Sequence, residues 1–166
     1  MRRAYYATVG MLWLLLAPWL AAEGEDTGRQ EVSNVRVTVF YATNGDPKQA
    51  GQKARALTED QEASLREQPQ LEFEHYRWMG EDMQPVLRSY ENWAQPLKPS
   101  DEILLKFEAG SLPTAGAIKL DLELWLSRKK VLKTHSPLSE ERPLFVLGPE
   151  WRGGRLIISV ALASGT

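Results

Sequence analysis

The chain contains no cysteine, which excludes disulfides, thiolate nucleophiles, zinc fingers and thiol-linked lipid anchors. Histidine is nearly missing as well, with His75 and His135 the only two. There is no Gly-x-Ser-x-Gly, no Walker loop, no dinucleotide fingerprint and no His-Glu-x-x-His, so the common motif-bearing enzyme classes have no foothold. A basic excess is also lacking. Lys and Arg total 20 against 22 Asp and Glu, for a formal net charge of −2, and nucleic acid is therefore not an expected partner. No Asn-x-Ser/Thr sequon occurs. What remains is ordinary for one folded domain: 166 residues, 43% hydrophobic and 25% charged.

The first residues read as an address. Arg2 and Arg3 precede an apolar run centred on Val9 to Leu16, and Leu20-Ala21-Ala22 offers small residues before the acidic Glu23. Basic start, short apolar centre and small-residue site form the pattern of a secretory signal peptide. The run from Thr8 to Ala22 falls short of the roughly 20 residues that cross a bilayer, and Pro18 suits a processing site. An uncleaved N-terminal anchor is the alternative and would be the chain's one membrane contact. The expected organisation is a signal over 1–22, a flexible polar leader over 23–33, one domain over 34–163 and a short tail over 164–166. An exported chain without cysteine points to a bacterial periplasm or exterior.

The domain itself reads as strands with one helical insert. Val35, Val37 and Val39 alternate with Arg36, Thr38 and Phe40, and Asn44-Gly45-Asp46-Pro47 ends that strand with turn chemistry. Ala50, Ala54, Leu57 and Leu65 fall at helical spacings within an insert from Ala50 to Glu67. Thr58-Glu59-Asp60-Gln61 there fits a capping box. Leu71 to Trp78 alternates again, with His75 on the half-buried face beside Phe73, until Gly80 breaks it. Further strands are expected at Val86 to Trp93, Ile103 to Phe107, Val131 to His135, Leu144 to Leu147 and Leu156 to Leu162. The clearest strand holds Ile118, Leu120, Leu122, Leu124 and Leu126 on one face and Lys119, Asp121, Glu123 and Trp125 on the other. About eight strands joined by short turns predict a mostly β fold, an antiparallel β-sandwich with one short helical insert.

Several stretches carry a resemblance: Phe73-Glu74-His75-Tyr76-Arg77-Trp78-Met79-Gly80-Glu81-Asp82, the leucine strand, Pro143-Leu144-Phe145-Val146-Leu147-Gly148-Pro149 and Gly154-Arg155-Leu156-Ile157-Ile158-Ser159-Val160. In this order, from Val35 to Leu162, the chain resembles small exported bacterial domains of unknown function. The resemblance implies a fold and an address; it assigns no activity to any residue.

Nothing in these patterns calls for a cofactor or a metal. The paired acids Glu81-Asp82, Asp101-Glu102 and Glu140-Glu141 sit in turn-like contexts. A small hydrolase built on one of them, or on His75, is the weakest of three readings. The foremost reading is a non-catalytic exported domain that binds or scaffolds another envelope component, a protein or a polysaccharide. A carbohydrate-binding module using exposed tryptophans lies between them. The candidate patch for both binding readings is Trp125, which alternates out of the leucine face, with the cations Arg128, Lys129 and Lys130 that follow it. The competing account packs Trp125 under the helical insert.

Overall fold

A computed structural model describes residues 26–114 and 116–163. The expected signal over 1–22, the start of the leader and the tail over 164–166 lie outside the described residues. Within them the chain is an antiparallel β-sandwich of two four-stranded sheets. Strands β1 (Glu31–Thr43), β2 (His75–Leu87), β7 (Leu144–Trp151) and β8 (Gly154–Ala163) form the first sheet, in the order β2-β1-β8-β7. Strands β3 (Asn92–Ala94), β4 (Ile103–Ala109), β5 (Ala117–Leu126) and β6 (Lys129–Ser139) form the second, in chain order. Among the described residues no helix is long and apolar enough to cross a membrane.

Period-2 patterning builds the space between the sheets. Ile118, Leu120, Leu122 and Leu124 of β5 are buried there with Ile103, Leu105 and Phe107 of β4. Val35, Val37, Val39 and Tyr41 of β1 face them, beside Leu156, Ile158, Val160 and Leu162 of β8. The two inner strands of the first sheet are buried on their other face too. Phe40, Ala42 and Ile157 form a second, smaller cluster with Leu65, Leu71 and Tyr76. Leu65 comes from α1 (Glu59–Arg66), which lies over the outer face of this sheet.

The capping box predicted at Thr58 is present. The Gln61 N–H donates to Thr58 Oγ1 at 3.3 Å, and the Thr58 N–H donates to Gln61 Oε1 at 3.1 Å. The rest of the insert departs from expectation. Pro47–Ala50 is a short 3-10 turn, and Arg55 bridges to Trp78 with extended backbone, so α-helix is confined to one stretch of eight residues. Ala50 and Ala54 pack on the main core instead of on a helical stripe.

Three other expectations are corrected. The leader is structured at its C-terminal end: Thr27–Arg29 forms a 3-10 turn and Glu31 to Ser33 already belong to β1. Gly80 does not end a strand. β2 runs through both Gly80 and Pro85, while Leu71 sits in a 3-10 turn and Trp93 in the separate short strand β3. The frame of alternation is therefore shifted, and His75 is exposed where the half-buried face was expected, while Tyr76 is buried. Gly80 is required by a close approach. A Cβ there would lie 2.2 Å from the carbonyl oxygen of Pro96, so only glycine lets β2 lie against the chain leaving β3.

Candidate functional site

The outer face of the second sheet is built by register. Trp93 of β3 pairs with Lys106 of β4, which pairs with Glu123 of β5, which pairs with Lys133 of β6. In the adjacent row Leu104 pairs with Trp125 and Trp125 with Lys130. The alternation that buries Leu122 and Leu124 thus turns Trp125 and Glu123 outward. Two tryptophans separated by β4 meet across it, with ring centroids 6.0 Å apart and planes inclined at 53°.

Trp125 is half-buried, and neither expected account describes it. The helix does not cover it, because α1 lies on the opposite sheet. Nor is it an open platform. Trp93 leans on one side and the Lys130 ammonium lies 5.5 Å from the ring centroid, a cation–π arrangement. Its indole Nε1 is sealed from solvent and meets no hydrogen-bond partner among the described residues. Trp93, at 38% exposure, supplies the accessible ring surface.

Ion pairs border the rings. Glu123 receives Lys130 at 3.2 Å and Lys133 at 3.6 Å, and Glu91 pairs with Lys106. The hydrogen bond from Lys130 holds the Glu123 carboxyl below the ordinary carboxylate range, against a smaller opposing push from burial. The hydrogen bond to Glu91 raises the Lys106 ammonium in the same way. These charges stay ionised and fix one another in place.

The predicted basic patch is divided. Ser127 and Arg128 form the hairpin turn between β5 and β6, both at positive φ, the left-handed geometry of a two-residue hairpin loop. Arg128 is held by Asp101 at 3.1 Å. Lys130 reaches the tryptophan face, whereas Lys129 pairs in register with Leu126, on the opposite side of the sheet. Of the four predicted residues, the structure brings Trp125 and Lys130 together and sets Arg128 and Lys129 apart from them.

The hydrolase candidates are also dispersed. Glu81 and Asp82 are neighbours on β2 that point to opposite faces. Glu81 accepts from Thr38 at 3.0 Å, and Asp82 is held by Lys98 at 2.7 Å. His135 pairs with Asp121 across β5 and β6, and His75 belongs to the other sheet. Among the described residues no group of three metal-ligating side chains occurs. The residue that sequence reasoning did not join to the site is Trp93. Its partner lies 32 positions along the chain, and only the β3–β4–β5 register makes them neighbours. No protein-family model, curated protein or solved structure matches the chain. The fold and this face define a small antiparallel β-sandwich with an aromatic pair on an outer sheet face.

Proposed function

We propose that the protein is an exported, non-catalytic β-sandwich that binds another envelope protein through the outer face of the β3–β6 sheet. The observation that carries this reading is the Trp93–Trp125 pair, partly open to solvent and bordered by ion pairs. Aromatic anchors at the centre of a charged border are the anatomy of protein-binding hot spots. The 53° inclination of the rings supports a protein over a sugar, since no single flat sugar ring lies against both. The address rests on the basic, apolar and small-residue succession from Arg2 to Ala22.

The test is proximity crosslinking in the native envelope with the wild-type chain, Trp93→Ala and Trp125→Ala. The partner recovered by the wild type is expected to fall about thirtyfold or more with either variant, as loss of a hot-spot aromatic requires. Trp93→Ala should leave the melting temperature nearly unchanged, because β3 is a three-residue edge strand. Recovery unaffected by both substitutions would overturn the reading. Retention on insoluble polysaccharide, lost in the same variants, would transfer the face to a glycan instead.

A further inference from the structure

A cleft lies at one end of the first sheet, where β1 ends and the β7–β8 hairpin turns. It is open to solvent, has a volume of about 580 Å³, and is lined by Asn44, Phe73, Glu150, Trp151 and Arg155 among others. Arg155 is its unusual member. The side chain is half-buried, with its Nε sealed from solvent and without a hydrogen-bond partner among the described residues. It also forms no ion pair with any described residue, although Glu150 is its register partner on β7. A partly desolvated, unpaired guanidinium is a costly arrangement for stability.

The surroundings are tied together by hydrogen bonds. The Tyr41 hydroxyl donates to the Arg152 carbonyl at 3.0 Å, and Thr43 Oγ1 donates to the Gly153 carbonyl at 3.1 Å. These bonds tie the hairpin turn to β1. Gly154 permits the contact, for a Cβ there would lie 2.4 Å from the Ala42 carbonyl oxygen. On the other wall Asn44 accepts from the Glu74 N–H at 2.8 Å, which orients its amide and leaves the NH₂ group as a donor.

We propose that this cleft is an oxyanion site, in which Arg155, assisted by the Asn44 amide, holds the carboxylate or phosphate group of a small solute beside Phe73, while the Trp151 ring is already covered by Arg152 at 4.3 Å. A guanidinium matches such groups through two parallel donors. Part of its water is already displaced by the surrounding side chains, so an arriving anion meets a strengthened charge at reduced further cost. Glu150 is the opposing group and sets an electrostatic threshold for entry. This site is independent of the tryptophan face on the second sheet.

The experiment is an NMR titration of the full-length chain with acetate, inorganic phosphate and, as neutral control, glycerol. It follows the Arg155 Nε–H and the amides of Gly45, Gly153 and Gly154. Acetate or phosphate should shift these signals saturably while glycerol leaves them in place. A response to acetate alone assigns carboxylates, and one to phosphate alone assigns phosphoryl groups. Arg155→Met keeps the length of the side chain and removes an unpaired cation, so it should fold with unchanged spectral dispersion and bind about tenfold or more weakly. Glu150→Gln should tighten binding. Absence of saturable shifts with both anions would overturn the proposal, as would binding within about twofold of wild type in Arg155→Met. Weaker binding in Glu150→Gln would do the same, because it would make Glu150 a structural partner of Arg155.

Discussion

Leu122 and Trp125 stand three residues apart on β5 and report two different environments. Leu122 is 1% exposed between the sheets, whereas Val131 on β6 is 52% exposed. Leu122→Ala is expected to cost about 2–5 kcal/mol, the range for large-to-small changes in a packed core. Val131→Ala should stay within about 0.5 kcal/mol. Denaturant unfolding of the two variants measures both, and equal losses would contradict the sidedness of the second sheet. This sidedness was legible from the leucine alternation alone. The state of Trp125 was not. Period 2 says which face a residue takes, but whether that face is covered depends on a neighbour, Trp93, brought in by two strand pairings. Arg155 was equally hidden. A cation beside a Gly-Gly turn reads as a solvated strand end, and its lack of a partner exists only in three dimensions.

At the scale of elements, proline decided where sequence reading succeeded and failed. Pro85, Pro137 and Pro149 all lie inside strands, and each of those strands, β2, β6 and β7, is at the edge of its sheet. None of the four inner strands contains one. An edge strand has one row of N–H groups without ladder partners, so proline is tolerated there and discourages pairing with another chain. Ending one strand at Gly80 and starting the next at Val86, just past Pro85, therefore split β2, and stopping at Leu147, before Gly148 and Pro149, truncated β7. The helix shows the reverse case, since a local signal, the Thr58–Gln61 box, located its start correctly. That cap holds α1 over Phe40, Ala42 and Ile157. Thr58→Ala should cost about 0.5–2 kcal/mol, and hydrogen exchange should quicken across Glu59–Arg66. Thr58→Ser should restore both, and an unchanged exchange pattern in Thr58→Ala would mean that packing alone holds the helix.

At the scale of the molecule, the two sheets are joined at one seam by a buried carboxylate. Asp82 of β2 is 8% exposed. It accepts the Gln95 N–H at 2.8 Å and the Lys98 ammonium at 2.7 Å, both from the chain leaving β3, and the Gln84 amide of its own strand. The edge of one sheet is thereby fastened to the edge of the other, beside the close approach at Gly80. Burial pushes the Asp82 carboxyl up, but the Gln95 N–H, Lys98 and Gln84 together pull it down further, and its net position is below the ordinary value. A carboxyl lowered on folding contributes stability that is fully present above its unfolded pKa, about 3.9, and is lost as pH falls through the folded value. Asp82→Asn should therefore destabilise the sandwich by about 1–3 kcal/mol at neutral pH, the cost of losing charged hydrogen bonds. The gap to wild type should narrow in the acid range below about pH 4, where the native carboxyl takes up its own proton. Urea unfolding of both chains from pH 7 downwards measures this. A gap that stays constant would mean that Asp82 holds the seam by shape and neutral hydrogen bonding, and that its charge contributes nothing.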